Sequence, residues 1–409
     1  MVFSPSRPAE GSNSFMSPCI TVYHDGIGSE SPRRFGKFYP KVVEAVARTL
    51  HVMPKVAPCL RPQWADIPNQ RFSQTIKSLS SVQDLARFWD LPVKQLNYHA
   101  YHATDASEYH NFSITRRNGR KRKISAPNRS LKYIQRIIHE TLSKLYWPDT
   151  TVHGFVSQRS TITNAKTHLA RKYVLNADLK DFFQTITRPR IIARLKVAPY
   201  ELQPPVAVLI GFLATDGDGQ LPQGSPCSPV IANIMAASMD TQLKELCKKL
   251  RCTYTRYADD LTISTDCEPF PPEIARYPSA AGTVQVVLGD SFLDIIENNG
   301  FQINHMKSRL QNHWTRQICT GLVVNREKLS LPRSYKRRLR ALIHNWKSLG
   351  WEKAAKRMHE KEYRPLFHNR DRFVHHVYGR INYMRMIYGV DYIGAKKLLS
   401  ALEEIPKDQ

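Results

Sequence analysis

Two adjacent aspartates, Asp259 and Asp260, stand between two short runs of β-forming residues at 253–257 and 261–265. This pattern predicts an antiparallel hairpin with both carboxylates at its tip. Two carboxylates this close repel each other and cost stability unless a cation lies between them. An ordinary acidic turn is the alternative, since Asp is a common turn residue. The tip of this hairpin is therefore either a cation site or a simple turn.

A third carboxylate, Asp178, closes a short predicted strand at 173–177, just before a turn. A strand end of this kind presents its side chain at the edge of a sheet. Three carboxylates from two neighbouring strand ends predict a site for two Mg²⁺ ions, because hard cations prefer oxygen ligands. Two such ions, about 3.5–4 Å apart, stabilise the entering and departing oxygens of an in-line phosphoryl displacement. Asp178, Asp259 and Asp260 are the predicted metal ligands and catalytic residues.

The chain carries a large excess of positive charge, with 60 Lys and Arg against 35 Asp and Glu, a formal net charge of +25. Six cations fall within the eight positions 116–123, and five within 333–340. Like charges packed this densely repel each other unless a polyanion lies against them. A merely well-solvated surface would not concentrate them in this way. We therefore predict that the protein binds nucleic acid.

Several other classes of protein are excluded by the same sequence. The seven cysteines are scattered and contain no CxxC pair, which fits neither a disulfide framework nor a zinc ribbon. No apolar run approaches the roughly 20 residues that span a bilayer. The first residues lack the basic start and apolar stretch of a secretory signal. We expect a soluble, cytoplasmic protein that does not bind membranes.

Helices and short antiparallel strands are intermixed along the chain, which predicts the α+β class. Residues 1–70 are rich in Pro, Ser and Arg, which indicates a partly irregular N-terminal extension. Apolar and polar residues alternate on both sides of Asn118 and Gly119, a strong hairpin signal, so the first basic cluster is predicted to lie on a two-stranded ribbon. Beyond Pro332 the pattern is helical. The predicted domains are 1–70, 71–315 and 316–409.

The chain resembles the reverse transcriptases through four motifs that occur in that family's order: the first metal-binding motif, the template- and nucleotide-positioning motif, the catalytic hairpin and the motif that follows it. They are DLKDFF at 178–183, LPQGSPCSP at 221–229, YADD at 257–260 and GFQINHMK at 300–307. The resemblance implies an RNA-directed DNA polymerase that uses deoxynucleoside triphosphates. It also implies the right-hand polymerase architecture, with fingers and an antiparallel palm sheet over 71–315 and a helical, basic, RNA-binding thumb over 316–409.

The resemblance implies roles for residues at matching positions of these motifs. Lys307 stands where the family has a lysine thought to protonate pyrophosphate, which implies a catalytic role. Phe183 stands where the family places an aromatic ring that excludes a ribose 2′-OH. The alternative is that Phe183 packs in the core, since one of Phe182 and Phe183 is expected to do so. Gln223 and Gly224 are implied to lie near the incoming base and sugar, where Gly allows close backbone approach.

The triphosphate is implied to bind basic residues of the fingers. Lys123 and Arg136 match the family's positions, as a point charge and a bidentate donor respectively. Arg120, Lys121 and Arg122 are alternatives to Lys123, because each of them is close enough in sequence to reach a phosphate. The implied nucleotide-binding residues are Lys123, Arg136, Phe183, Gln223 and Gly224.

Two further elements resemble the retron reverse transcriptases in particular. NAKTH at 164–168 matches the NAxxH element of that group, and residues 319–321 fall where it carries VTG, with Cys319 in place of valine. The alternative for Asn164 and His168 is a polar pair satisfied within the fold. The implied RNA-binding residues are Asn164, His168, Thr320, Gly321, Arg333, Lys336, Arg337, Arg338 and Arg340.

A retron-type enzyme implies particular partners. It would bind a cognate structured non-coding RNA, start synthesis from the 2′-OH of one guanosine and copy part of the RNA into branched multicopy single-stranded DNA, leaving an RNA–DNA hybrid. A defence effector protein and a separate host RNase H are implied as well, within an antiphage system. The alternatives are a reverse transcriptase from a group II intron or a diversity-generating element, or a nucleic-acid-binding scaffold for a defence effector.

Overall fold

The computed structural model describes residues 63–102, 108–115, 121–278, 286–362, 367 and 369–406. All of them belong to one unit of the chain, residues 62–409. The predicted turn at Asn118 and Gly119, the cations Arg116, Arg117 and Arg120, and most of the predicted extension lie outside the described residues. Within the described ranges, no helix is both long enough and apolar enough to cross a bilayer.

Short helices open the described part of the chain, after a 3₁₀ helix at Gln63–Asp66. They are α1 (Asn69–Ser78), α2 (Val82–Trp89) and α3 (Val93–Tyr101). Ser81 begins α2 with a reciprocal capping box, since the Asp84 amide donates to Ser81 Oγ at 3.1 Å and the Asp84 carboxylate accepts from the Ser81 amide. Trp64 is buried in the core, so ordered packing begins inside the predicted extension.

The basic ribbon forms as predicted, with β1 (Tyr109–Thr115) antiparallel to β2 (Lys121–Pro127). Helix α4 (Arg129–Leu145) follows, and its N-cap Asn128 accepts a hydrogen bond from the Leu131 amide. Apolar residues at helical spacing bury one face of α4 in the core. The short helix α5 (Thr161–Lys166) then leads to the central sheet.

The central sheet contains four antiparallel strands in the order β4-β5-β3-β8. In chain order the elements of this region are β3 (Tyr173–Asp178), α6 (Arg188–Lys196), α7 (Pro204–Ala214), α8 (Ser228–Lys249), β4 (Thr253–Tyr257), β5 (Asp260–Thr265), β6 (Ala275–Arg276), β7 (Val287–Leu288), α9 (Asp290–Asn298), a 3₁₀ helix (His305–Lys307) and β8 (Arg309–Asn312). Both predicted strands of the aspartate hairpin are confirmed. Asp260, expected in the turn, is the first residue of β5.

One face of the central sheet is buried in a large apolar core. Leu175 and Ala177 of β3, with Leu261 and Ile263 of β5, pack there with side chains from residues 64–310. Residues of a strand alternate between faces, so Asn176 and Asp178 lie on the opposite face. That face carries the acidic side chains.

A second apolar cluster contains the C-terminal region together with two side chains from earlier in the chain, Ala165 and Val174. Its elements are β9 (Ile318–Cys319), β10 (Leu322–Val323), α10 (Arg333–Leu349), α11 (Trp351–Glu362), α12 (Arg370–Tyr388) and α13 (Ile393–Glu403). The helical pattern predicted beyond Pro332 is confirmed. Because Val174 belongs to β3, this cluster covers part of the acidic face of the sheet.

Candidate active site

Strand register brings the three predicted carboxylates to one end of the sheet. Asp178, the last residue of β3, pairs directly with Asp260, the first residue of β5. Asp260 also pairs with Tyr257 across the hairpin, so Ala258 and Asp259 form a two-residue turn. The Leu179 amide donates to the Asp259 carbonyl at 2.9 Å, which fixes that turn beside the end of β3.

The neighbouring carboxylates raise the affinity of Asp260 for protons. Water reaches Asp260, but the surrounding protein removes much of its hydration, and this desolvation raises its pKa to about 6. The charges of Asp259 and Asp178 raise the same pKa further, whereas Lys307 and Arg309 lower it. The site therefore holds more negative charge than its neighbours neutralise, which is the condition for binding a cation.

Lys307 lies where the fourth motif predicts it, against the first carboxylate. Its Nζ is 2.6 Å from Asp178 Oδ2, and 43% of the Lys307 side chain is exposed. The loop that carries it is tied to the end of β3, because the Asn304 amide donates to the Asp178 carbonyl at 2.8 Å. A side chain so exposed is free to leave the carboxylate when another cation or a phosphate arrives.

Two of the three carboxylates, Asp178 and Asp260, line a cavity of about 500 Å³, the catalytic cavity, whose walls also include Lys307, Arg309, Thr320 and Gly321; Asp259 is not part of its wall. Within the described ranges, no three His, Cys, Asp or Glu side chains already surround a single metal position. Mg²⁺ does not require one, since it usually keeps several waters and is bound by one or two carboxylates together with substrate phosphates. The oxygen donors of Asp178, Asp259 and Asp260 fit that mode of binding.

A fully buried ion pair supports the hairpin from behind. The Arg256 guanidinium donates to both oxygens of Asp240 on α8, at 2.8 and 2.7 Å, and both side chains are almost completely buried. Its third arm donates to the Asn233 side chain at 3.1 Å and to the Ala258 carbonyl at 3.0 Å. Burial alone would lower the pKa of Arg256, but Asp240 outweighs it and raises that pKa. Arg256 thus holds the backbone of the residue before Asp259.

The turn itself has an unusual backbone, and neighbouring chain encloses it. Ala258 adopts φ 58°, in the left-handed region that favours glycine. A Cβ atom on Gly154 would lie 2.3 Å from the Ala258 nitrogen, so only glycine allows this approach. The Gly154 carbonyl accepts from Asn233 Nδ2 at 3.0 Å, and the His153 amide donates to the Arg256 carbonyl at 2.8 Å.

Sequence patterns alone did not single out these supporting residues. Two signals were available: a lone arginine inside an apolar strand, and a lone aspartate among the apolar positions of the helix that precedes it. A buried charge needs a partner, so Arg256 and Asp240 predict each other.

The two phenylalanines after Asp178 have different environments. Of the two, Phe182 is the one buried in the core, at 2% exposure. Phe183 is only partly buried and meets Phe155 edge to face, with ring centroids 6.2 Å apart. A partly exposed ring at this position is compatible with the implied contact to a sugar.

The nucleotide-positioning motif packs against the basic ribbon. The Ser125 amide donates to the Gln223 carbonyl at 3.1 Å, and Arg122 Nε donates to Gln223 Oε1. Gly224 has φ 141°, and a Cβ atom there would lie 2.6 Å from the Ser125 carbonyl oxygen. Arg122, one of the alternatives to Lys123 for binding the triphosphate, therefore contacts Gln223.

Lys123 and Arg136 do not line the catalytic cavity. Lys123 is largely exposed, and its Nζ lies 4.0 Å from Asp218. Arg136 is exposed on α4, where its charge lowers the pKa of Glu140 against the raising effect of burial. Both cations are accessible, and their role in binding triphosphate stays a prediction.

The structure corrects the predicted RNA contacts of Asn164 and His168. Both side chains have 0% exposure. His168 bonds to Ser264 Oγ and Thr255 Oγ1, both at 2.7 Å, and so cross-links β5 to β4. Asn164 Nδ2 donates to Cys319 Sγ at 3.2 Å. Neither side chain is accessible to RNA. The alternative of a polar pair within the fold is the one observed, with both ring nitrogens of His168 hydrogen-bonded and Asn164 Oδ1 buried without a partner.

Thr320 and Gly321 form the turn between β9 and β10, at the wall of the catalytic cavity. Their φ angles are 45° and 83°. For Thr320, which is β-branched, this conformation is uncommon. Its hydroxyl donates to the Thr161 carbonyl at 2.9 Å, which anchors the turn to α5. The turn therefore shares a cavity with the carboxylates.

Fewer cations of the basic run at 333–340 are exposed than the sequence predicts. Arg333, Arg337 and Arg340 are exposed at helical spacing on one face of α10. Arg338 is half-buried, and Lys336 lies over the Tyr388 ring, with Nζ 4.5 Å from its centroid. The exposed stripe consists of three of the five predicted cations.

Comparisons with known proteins agree with this geometry. Residues 114–319, just over half of the chain, match the family model described as reverse transcriptase (RNA-dependent DNA polymerase). The chain is 34% identical over 297 residues to the retron Mx162 reverse transcriptase of Myxococcus xanthus, covering 66% of this chain and 60% of that protein. It is 30% identical over 250 residues to the retron Ec83 reverse transcriptase of Escherichia coli, covering 59% of this chain and 77% of that protein.

Among solved structures, the chain is similar to telomerase from Candida albicans in complex with a fragment of telomeric RNA. The identity is 13%, the TM-score is 0.37, and the match covers 77% of this chain and 68% of that one. This likeness is weak.

The buried ion pair predicts a specific pattern of stability. Replacing Asp240 by Ala leaves the Arg256 charge buried without its partner, which should lower the free energy of unfolding by about 3–5 kcal/mol. The double variant Asp240→Leu with Arg256→Met should lose less, because no charge stays buried. Glu404→Ala, which breaks the exposed pair with Lys347, should cost under ~1 kcal/mol. Urea unfolding measures all three, and equal losses for the two Asp240 variants would contradict the prediction.

His168 predicts a pH dependence. Burial lowers its pKa to about 3, whereas an unfolded histidine titrates near its ordinary value of 6.5. Because the folded pKa is lowered, its contribution to stability is complete above 6.5 and is lost progressively as the pH falls toward 3. Between pH 7.5 and 5.5 the loss should be about 1 kcal/mol. Urea unfolding at both pH values should show a smaller loss in His168→Gln than in the parent protein, and an unchanged loss in His344→Gln, which alters an exposed histidine.

Proposed function

Because the chain belongs to the reverse transcriptase family, and within it to the retron reverse transcriptases, we propose that it is an RNA-directed DNA polymerase that extends a hydroxyl primer with deoxynucleoside triphosphates. The observation that carries the proposal is the register of β3 on β5, which sets Asp178 opposite Asp260 beside the turn residue Asp259. The chain spans about three fifths of the Mx162 protein, so the activity is proposed for this chain on its own residues.

Asp178, Asp259 and Asp260 would hold two Mg²⁺ ions, which when bound supply charge stabilisation for the attacking and leaving oxygens. The primer hydroxyl oxygen forms a bond to the α-phosphorus as the bond from that phosphorus to the bridging oxygen breaks, and pyrophosphate departs. The hydroxyl proton passes to solvent. Lys307 would give a proton to the pyrophosphate, and its exposed ammonium, 2.6 Å from Asp178, supports this role.

The fingers and the first motif would select the nucleotide. Arg122, Lys123 and Arg136 offer cations to the triphosphate. Gln223 and Gly224, packed on Ser125, form a surface for the incoming base and sugar. Phe183 would exclude a ribose 2′-OH, because its ring is partly exposed next to the end of β3.

As a retron-type enzyme the protein would copy a cognate structured RNA from an internal 2′-OH into branched multicopy single-stranded DNA. The exposed stripe Arg333, Arg337 and Arg340 would bind the phosphates of that RNA or of the hybrid. An effector protein, a separate RNase H and a role in antiphage defence in the cytoplasm belong to the same proposal. The retron relatives favour this type over group II intron and diversity-generating enzymes.

Removing the hairpin carboxylates tests the proposal. In the double variant Asp259→Ala with Asp260→Ala, primer extension should fall at least roughly 100-fold, while binding to RNA should persist. Asp266→Ala is a matched control, since it removes an exposed aspartate paired with Arg171 at the other end of β5. Extension is measured with a DNA primer on an RNA template, and binding by fluorescence anisotropy. Undiminished extension in the double variant would contradict the proposed active site and favour the alternative function, a nucleic-acid-binding scaffold.

The sugar gate gives a second test. Phe183→Ala should reduce the preference for deoxynucleotides over ribonucleotides by roughly 10-fold or more, because it removes the ring that meets a 2′-OH. Phe183→Tyr keeps the ring and should keep the preference. The ratio of kcat/KM values for the two nucleotides measures the effect. An unchanged ratio in the alanine variant would remove Phe183 from the nucleotide site.

A further inference from the structure

Arg309 is a cation of the catalytic cavity to which none of the motifs assigns a role. It is the first residue of β8 and pairs directly with Asn176 of β3, two residues before Asp178. Since side chains alternate along a strand, Asn176 and Asp178 lie on the same face, and Arg309 lies beside them. It lines the cavity with Asp178 and Asp260.

The guanidinium of Arg309 has few partners within the protein. Its Nε donates to Asn176 Oδ1 at 3.4 Å, an oxygen that also accepts from Gln311 Nε2 at 3.0 Å. Among the described residues, no carboxylate lies within 4.0 Å of it, and its two terminal nitrogens make no hydrogen bond. Lys307, by contrast, is paired with Asp178. Arg309 therefore presents an unused fork of donors to the cavity.

The position of Arg309 indicates which part of the substrate it meets. Beyond Asp178 the chain reaches Gln184, which accepts from Gln223 at 3.4 Å, so the proposed nucleotide site lies past the end of β3. Arg309 lies on the other side of Asp178, back along β3. The Thr320–Gly321 turn and Asp260 line the same cavity as Arg309. In an in-line displacement the attacking hydroxyl lies on the side of the reacting phosphorus opposite the leaving pyrophosphate, so a strand that supplies this hydroxyl would lie at this end of the cavity.

We propose that Arg309 binds a phosphodiester of the strand that supplies the attacking hydroxyl. The planar guanidinium matches a phosphodiester because it offers two parallel donors, which a lysine does not. The inference rests on the proposed function. Two sources share this chemistry: the phosphodiester on the 5′ side of an ordinary primer terminus, and the one that stays on the 3′ side of a nucleotide attacking through its 2′-OH.

A different role would be to balance the charge of Asp260. That role needs only a positive charge, so Arg309→Lys would preserve it, and loss of the charge would alter the dependence of activity on Mg²⁺ without altering affinity for the primer strand. Binding a phosphodiester requires the planar guanidinium itself, and not only its charge. Primer affinity should suffer in Arg309→Gln, and Arg309→Lys should restore only part of it.

The test measures binding and synthesis separately. Anisotropy of a labelled primer–template without divalent metal gives Kd, and extension from a 3′-OH primer gives KM for that primer. If the bound phosphodiester is the one on the 5′ side of the primer terminus, Arg309→Gln should raise both roughly 10- to 100-fold, with Arg309→Lys intermediate. The matched control is Arg316→Gln, which removes an exposed cation close enough to Arg309 to lower its pKa but outside the cavity wall. Thermal unfolding confirms that each variant is folded.

A second arm, self-primed synthesis on the cognate RNA, identifies the phosphodiester. Loss in both arms assigns the 5′ side, and loss of self-primed synthesis alone assigns the 3′ side. Unchanged Kd and KM in Arg309→Gln, together with unchanged self-priming, would overturn the inference. So would full recovery in Arg309→Lys with a shifted Mg²⁺ dependence. If the parent protein itself extends no primer, the proposed function fails, and that result is distinct from the failure of Arg309.

Discussion

Repulsion between like charges is built into the palm by the register of its strands. Pairing β3 with β5 puts Asp178 directly opposite Asp260, and the two-residue turn adds Asp259 beside them. Separating the charges would require a shift of strand register, and a one-residue shift would turn Leu175 and Ala177 out of the core. The apolar face of the sheet thus enforces the acidic cluster on its other face.

The hairpin that carries the cluster is held through its backbone. Arg256 reaches the Ala258 carbonyl from inside the protein, and Asp240 keeps that guanidinium charged and oriented. A buried ion pair adds little net stability over well-packed apolar side chains, because desolvation offsets the attraction. Its bidentate geometry, however, fixes the orientation of the Arg256 guanidinium and so the position of the Ala258 carbonyl. An apolar contact could not orient a turn that must present two carboxylates in this way. The close approach of Gly154 to the Ala258 nitrogen restricts the same turn.

Local patterns were enough to predict the main elements of this fold. The strand before Asp178, the aspartate hairpin and the C-terminal helices each have a periodicity or turn signal that tertiary contacts did not override. Local patterns were not enough to predict the contacts within the site. That Arg256 pairs with Asp240, or that Arg309 lies beside Asn176, depends on strand pairing between distant segments, which periodicity does not reveal. His168 was misassigned for a related reason, because a motif match gives no information on whether a side chain points into the core or out of it.

The buried positions of Asn164 and His168 change how the retron-like elements relate to the cavity. His168 ties β4 to β5, the two strands of the aspartate hairpin, and Asn164 bonds to Cys319, whose thiol donates to Thr262 of β5 at 3.6 Å. Valine, the family's residue at position 319, could not accept a hydrogen bond from Asn164, so the cysteine adds a link here. These contacts set the Thr320–Gly321 turn against the acidic face of the sheet. Arg309 and that turn border the same cavity. The buried side chains of Asn164 and His168 would therefore act on a bound RNA only through the shape of the cavity wall, and the exposed residues of that wall would make the contacts with RNA.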